Sequence, residues 1–221
     1  MKKMMLTLLI AAFTLSAFAQ DDNDNPNATV IDHYMFKGFI PGIVKKKNGE
    51  RISALLNYNT LTEEMIFTKD TVKYALAQLE DIDTVYLAGK VFVPYNDIFF
   101  EKATSTPVAL YIEHKTTILP PGKDLGYGSK TQLGSITNAT QIRNGNREFN
   151  LKLPDDYKLV SRTTYWVIKD GKYVQVNNIR KVQGIFPARA DAIKSFVKQH
   201  NIKMSNADDM IKLIEFCNQP V

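Results

Sequence analysis

The dipeptide Asn48-Gly49 is the feature that most constrains how this chain can fold. It separates two strand-like segments, Phe39–Lys47 and Arg51–Tyr58. Asn-Gly in this position predicts a tight β-hairpin, because both residues accept the positive φ angles of a type I′ turn. Asp170-Gly171 repeats the pattern, and Asn144-Gly145 is a third candidate. The chain is therefore expected to consist largely of antiparallel strands that follow one another in sequence.

The first 19 residues have the pattern of a secretory signal peptide. Lys2 and Lys3 precede an apolar run from Met4 to Phe18, and Ala17-Phe18-Ala19 matches the small-x-small cleavage rule. The run is shorter than the roughly 20 apolar residues of a spanning helix. We therefore expect a mature chain that begins at Gln20, has no transmembrane segment and is periplasmic or secreted. Loss of the two lysines lowers its net charge from +5 to +3.

The remaining charge and the cysteine and histidine content exclude several classes of protein. The basic run Lys45-Lys46-Lys47 adjoins a hairpin turn, where lysines commonly discourage edge-to-edge strand pairing, and no nucleic-acid module accompanies it. Cys217 is the single cysteine, so the chain has no intramolecular disulfide. The histidines His33, His114 and His200 are too far apart in sequence for a metal motif. The sequence thus predicts no nucleic-acid partner, no metal and no cofactor.

Alternating apolar residues predict short strands throughout residues 31–118. In Val108–Lys115 the pattern divides the side chains between two faces, with Leu110, Ile112 and His114 on one and Tyr111, Glu113 and Lys115 on the other. Further segments of this type are Glu63–Thr68, Thr84–Ala88, Lys90–Val93 and Asp97–Lys102. Strands this short and regularly spaced are typical of a small barrel or sandwich.

The last part of the chain changes from strand to helix. Thr163–Lys169 and Lys172–Val176, which flank Asp170-Gly171, predict a hairpin. Apolar residues then recur at i, i+3, i+4 and i+7 in Ala188–His200 and Asn206–Cys217, which predicts two helices. We expect them to form a C-terminal helical hairpin packed on the sheet, so the fold class is α+β and mostly β.

The second of these helices has a predicted start. Ser205 and Asp208, a hydroxyl and a carboxylate three residues apart, resemble a capping box.

The predicted organisation has five parts. They are a signal peptide at 1–19, a flexible leader at 20–30, a β-rich domain at 31–118, a long loop at 119–154, and the hairpin with the helical pair at 155–221. Long loops inside compact domains are often functional. The Gly-rich part of this loop, Gly122–Thr131, matches neither a P-loop nor a dinucleotide-binding pattern. It does present Tyr127 with Lys123 and Lys130, residue types that suit a ligand or partner contact.

Several short motifs resemble those of an uncharacterised family of secreted proteins from Bacteroidetes-type bacteria. They include Gly42-Ile43-Val44, Leu56-Asn57-Tyr58, Phe92-Val93-Pro94 and Val108-Ala109-Leu110-Tyr111, and the C-terminal segments Ile193–Phe196 and Asp208–Ile214. The resemblance implies an exported protein with a β-strand meander and a C-terminal helical pair, and it implies no activity.

The chain is therefore expected to be an exported, non-catalytic binding or assembly protein of the bacterial cell envelope, with an unknown envelope or extracellular partner. No catalytic motif is recognisable, yet a periplasmic hydrolase with a site built from scattered residues stays open, as does an apolar-ligand carrier. A deep pocket with convergent acids or a histidine would favour the enzyme, and a long dry cavity the carrier. A flat surface with exposed aromatic residues would favour the binding protein.

Overall fold

The computed structural model describes residues 28–30, 33–70, 72–119, 123–124, 130–131, 152–154 and 158–220. The predicted signal peptide lies outside these residues, as do the turn candidate Asn144-Gly145 and most of the leader. The described part is mostly β, with three helices near the C-terminus. Among these residues, none of the helices is long and apolar enough to cross a membrane.

The strands are numbered in chain order. They are β1 (Ala28–Val30), β2 (Ile40–Lys46), β3 (Arg51–Asn59), β4 (Glu64–Lys69), β5 (Val72–Ala75), β6 (Ile82–Leu87), β7 (Lys90–Tyr95), β8 (Ile98–Lys102), β9 (Leu110–Leu119), β10 (Lys123–Asp124), β11 (Lys130–Thr131), β12 (Lys152–Pro154), β13 (Lys158–Lys169) and β14 (Lys172–Gln175).

Ten of these strands form one antiparallel sheet in the order β14-β13-β9-β8-β7-β6-β2-β3-β4-β5, while β1 pairs with β12 and β10 with β11. Antiparallel pairing is thereby confirmed, and neighbouring strands follow one another in the chain except where β13 pairs with β9 and β2 with β6. The predicted barrel is wrong, because the sheet is open: β5 and β14 end it, and no ladder joins them. The ten strands also lie in one sheet, where a sandwich would have two facing sheets. Helices cover the β9–β13–β14 end and take the place of the second layer.

Tight turns set the register of the meander, as expected, although the turn types differ. At Asp170-Gly171 both residues have positive φ, 51° and 74°, which is the predicted type I′ geometry. At the first hairpin only Gly49 has positive φ, at 91°, and the Lys46 N–H donates to Glu50 O. This three-residue connection with Gly at the left-handed position is a common alternative.

The sheet curls so that the turn between β3 and β4 reaches β8 and β9. The Thr116 N–H donates to Thr60 O at 2.7 Å and the Phe99 N–H donates to Glu63 O at 3.0 Å. The Tyr58 hydroxyl also donates to the Phe99 carbonyl, at 3.1 Å. These contacts join strands that are not neighbours in the sheet, and they enclose an apolar core on its inner face. That core comprises Val44, Leu56, Tyr58, Met65, Ile82, Val85, Leu87, Phe92 and Phe99.

Three helices cover the same face at the other end of the sheet. They are α1 (Ile179–Ile185), α2 (Ala190–Gln199) and α3 (Ala207–Cys217). Ile193 of α2 and Leu213 of α3 are fully buried against Leu110, Ile112 and Val167 of the sheet. The predicted packing of the helices on the sheet is confirmed, with α1 as an additional helix.

The start of α3 differs from the predicted capping box. Its N-cap is Asn206, whose side chain accepts from the Asp209 N–H at 3.0 Å. Asp209 in turn accepts from the Lys203 N–H at 2.9 Å. The cap therefore lies one residue after Ser205, and an amide side chain takes the role predicted for the hydroxyl.

Candidate functional site

The predicted loop site is only partly described. Tyr127 lies outside the described residues. Lys123 begins β10 and Lys130 begins β11, and the two strands pair with Lys123 opposite Thr131 and Asp124 opposite Lys130. The two lysines thus belong to one short hairpin, and their role in binding stays a prediction.

The histidines and the cysteine lie apart from one another. His33 is buried at the start of the described chain, His114 is on β9, and the ring of His200 packs on Phe196 with centroids 4.3 Å apart. Cys217 is buried in the core between helices and sheet, and this burial raises the pKa of its thiol to about 11. No cluster of three or more metal-ligating side chains occurs among the residues described.

A buried carboxylate, Glu101, lies between His114 and Lys90 on the inner face. Its Oε2 lies 2.6 Å from His114 Nε2, and its Oε1 accepts from Lys90 Nζ at 2.6 Å. Burial by itself would raise the pKa of Glu101, but the hydrogen bonds from His114 and Lys90 outweigh it and lower the pKa. Each carboxylate oxygen of Glu101 therefore has a hydrogen-bond partner, and the group lies between the two apolar cores.

A second carboxyl cluster lies where the β3–β4 turn meets β9. Glu63 is only 5% exposed, and its Oε2 accepts from Lys115 Nζ at 2.5 Å. Within the described residues its other oxygen, Oε1, is buried and has no hydrogen-bond partner. Glu113 Oε2 accepts from the indole Nε1 of Trp166 at 2.9 Å. Burial and the neighbouring Glu113 raise the pKa of Glu63, with partial compensation by Lys115.

Five aromatic rings lie together on the outer face of the sheet, opposite the helices. We call this set the aromatic face; it comprises Tyr95, Phe100, Tyr111, Trp166 and Tyr173. Phe100 is at its centre, nearly parallel to Trp166 at 5.8 Å and to Tyr95 at 4.9 Å between ring centroids. Tyr173 packs its edge against Phe100 and Tyr111. Burial first, and then the neighbouring tyrosines, raise the pKa of Tyr173 to about 12.

Part of this arrangement follows from the sequence and part does not. Alternation in β9 correctly separates Tyr111 and Glu113 from Leu110 and Ile112. The ion pair between Lys115 and Glu63 escaped prediction, because the two residues are 52 positions apart and meet only through the curl of the sheet. The position of Trp166 opposite Tyr111 depends on pairing of β9 with β13 across a long connection. No local pattern specifies that register.

A surface cleft of about 720 Å³ lies between the end of β5 and the turn joining β7 to β8. Glu64, Glu80 and Asp97 are among its lining residues. The Glu101–His114 pair and the Glu63–Lys115 pair do not line it, so the cleft does not combine these groups into a pocket with acid–base chemistry.

Comparison of the chain with protein-family models, with curated proteins and with solved structures finds no match.

Proposed function

We propose that the protein is an exported, non-catalytic binding or assembly protein of the bacterial cell envelope, and that it contacts its partner through the aromatic face. The signal-peptide pattern of residues 1–19 supports export. The observation that supports binding is the aromatic face itself. It lies on the side of the sheet that faces away from the helical layer and from both larger cores.

The composition of this face suits a contact surface. Tyr95, Trp166 and Tyr173 are each half-buried, so their packing is fixed while part of each ring stays accessible. Large aromatic side chains contribute much of the binding energy at protein interfaces and lose little conformational entropy when they bind. Glu113 and Lys115 add charged groups beside the rings on the same face. The face therefore has an apolar centre and a polar rim, as protein interfaces commonly do.

The hydrolase alternative has one observation in its favour, the raised pKa of the buried carboxyl of Glu63. A general acid must reach the group that it protonates, however, and Glu63 is 95% buried beneath its own turn. The carrier alternative requires a cavity, and the rings of Tyr58, Phe92 and Phe99 fill the inner face of the curl. Binding through the outer face is therefore the better-supported function.

Co-purification tests this function directly. Purified mature protein is incubated with solubilised envelope extract from the native host, and complex formation is followed by co-purification of the partner. We expect Tyr173→Ala to weaken recovery of the partner by tenfold or more. Tyr74→Ala is the matched control: Tyr74 is 41% exposed on β5 and stacks on Phe67, far along the sheet, so it should bind like wild type.

Two outcomes would count against this function. Equal recovery with wild type and Tyr173→Ala would remove the aromatic face from the contact. Turnover of an ester, glycoside or peptide substrate by the purified protein would contradict the non-catalytic role.

The loop around Tyr127 is a second proposed contact surface, carried by its sequence alone. The double variant Tyr127→Ala with Lys130→Ala tests it in the same assay. Unchanged recovery of partners would exclude the loop, whatever the result at the aromatic face.

A further inference from the structure

The strand β14 forms one open edge of the described sheet, where β13 is its one strand partner. The Val176 N–H donates to Tyr165 O at 2.9 Å, and hydrogen-bonded pairs alternate with non-hydrogen-bonded pairs along an antiparallel ladder. Tyr173 and Gln175 therefore direct their backbone N–H and C=O groups away from β13. Among the residues described, no group bonds them, so the edge presents a row of free donors and acceptors.

Few features protect this edge. Edge strands are commonly blocked by proline, by a bulge or by charged side chains. The ladder between β13 and β14 keeps one register throughout, and β14 contains no proline. Lys172, its first residue, is the one charged side chain of the strand. The backbone of β14 is therefore free to pair with a further strand.

The side chains of β14 alternate between the two faces of the sheet. Tyr173 belongs to the aromatic face and contacts Tyr95 and Tyr111, whereas Val174 packs on the core beneath the helices. An added strand would place every second side chain about 5 Å from its neighbour on β14. It would extend the aromatic face by one row, so an apolar or aromatic side chain suits the position beside Tyr173.

The charges next to β14 indicate the chemistry of the added strand. Lys169 and Lys172 lie opposite each other beside the hairpin turn, and Arg180 and Lys181 follow in the first turn of α1. All four are exposed, and Asp170 is the one acidic residue in this part of the chain. A second copy of the protein would bring like charges together, which opposes pairing of β14 with itself. Acidic residues are complementary to these cations.

We propose that an extended acidic segment of the envelope partner joins the sheet as a strand alongside β14. This inference rests on the proposed function, since it gives the mode and the chemistry of the contact at the aromatic face. Main-chain hydrogen bonds to Tyr173 and Gln175 supply affinity, and alternate side chains supply specificity. The segment carries an apolar or aromatic residue beside Tyr173, and acidic residues towards Lys172 and Arg180.

A synthetic peptide tests the pairing in the absence of the partner. In this peptide valine and tyrosine alternate between two acidic ends, and a matched peptide has lysine at both ends instead. Calorimetry measures binding to the purified mature protein, and NMR follows hydrogen exchange of the Tyr173 and Gln175 amides. We expect the acidic peptide to bind at least tenfold more tightly than the basic one, and to slow exchange of both amides at least tenfold. Equal affinity of the two peptides, or unchanged exchange, would overturn the proposal.

Proline variants test whether the contact is at β14. Gln175→Pro removes one outward N–H and leaves the bonds to β13 in place, and edge strands tolerate proline. We expect it to weaken binding of the acidic peptide at least tenfold. Ala75→Pro is the matched control on β5, the opposite edge: the Leu76 N–H donates to Met65 O, so the Ala75 N–H also points outward. This control should bind like wild type.

A charge variant gives a test that does not depend on the backbone. Lys172→Glu changes one exposed side chain and should reduce the preference for the acidic peptide at least threefold. Binding by folded Gln175→Pro that equals wild type, or an unchanged preference in Lys172→Glu, would contradict strand addition at β14.

Envelope co-purification separates this inference from the proposed function. Loss of the partner with Tyr173→Ala but full recovery with Gln175→Pro would keep the aromatic face as the contact and exclude strand addition. A dimer in sedimentation experiments that dissociates with Gln175→Pro would identify a second copy of the chain as the occupant of the edge, and would overturn the acidic segment.

Discussion

The indole N–H of Trp166 donates a 2.9 Å hydrogen bond to Glu113, and this contact joins the aromatic face to the charged groups of β9. It fixes the orientation of a large ring at the edge of a surface that would otherwise be held by packing alone. A partner bound at the aromatic face would therefore meet a preformed surface, which lowers the entropic cost of binding.

The helix–sheet core should depend strongly on Ile193. Its side chain is 0% exposed between α2 and the sheet, so Ile193→Ala should lower the free energy of unfolding by about 2–5 kcal/mol. Phe196 is only partly buried and stacks on Phe216, so Phe196→Ala should cost less despite the larger side chain removed. Urea melts of both variants measure this order, and a smaller loss for Ile193→Ala than for Phe196→Ala would contradict it.

The cap of α3 offers a test at single-residue resolution. Asn206→Ala should destabilise the protein by about 1 kcal/mol, because its side chain satisfies the Asp209 N–H. Ser205 is the matched control, adjacent in sequence and predicted as the cap from the sequence alone. Thermal melts should show little change for Ser205→Ala. A larger loss of stability for Ser205→Ala than for Asn206→Ala would contradict this assignment and favour the capping box predicted from the sequence.

Glu101 should make the protein sensitive to acid. The pKa of its carboxyl is lowered in the folded state, so its contribution is present above the ordinary value of 4.5 and is lost as the pH falls through the folded value. Glu101→Gln should cost about 1–3 kcal/mol at pH 7, because Lys90 and His114 lose a charged acceptor.

A surface carboxylate provides the control for this prediction. Glu50 pairs with Lys46 at 2.8 Å in an exposed setting, and Glu50→Gln should change stability far less than Glu101→Gln does. Urea melts at pH 7 and pH 4 compare the variants. If Glu101→Gln lowers the free energy of unfolding equally at pH 7 and at pH 4, the charge of the Glu101 carboxylate is not involved.

Local features of the fold were predictable because short-range physics sets them. The Asp170-Gly171 turn, the two faces of β9 and the apolar stripes of α2 and α3 all depend on residues within a few positions of one another. The cap at Asn206 shows the limit of this reasoning: Ser205 and Asn206 are both good N-cap residues, and the local sequence does not choose between them.

Features that depend on distant contacts were not predictable. An open sheet and a barrel have the same alternating strands, so alternation alone does not distinguish them; in the structure helices cover the β9–β13–β14 end. Glu63 has no local pattern that indicates a buried acid, since its environment comes from Glu113 and Lys115 of a strand 50 residues away. The aromatic face likewise joins β7, β8, β9, β13 and β14, and depends on the register of each pair.

The central claim is that the protein binds an envelope partner through the aromatic face, and site-specific photo-crosslinking in the native host tests it most directly. A photoreactive residue replaces Ile168, which lies directly opposite Tyr173 on that face, or Ile52, which lies on β3 away from it. The two positions are equally exposed, each at 39%. We predict a discrete crosslinked adduct from position 168 that is lost with Tyr173→Ala, and none from position 52. No adduct from position 168, or equal adducts from both, would contradict the claim.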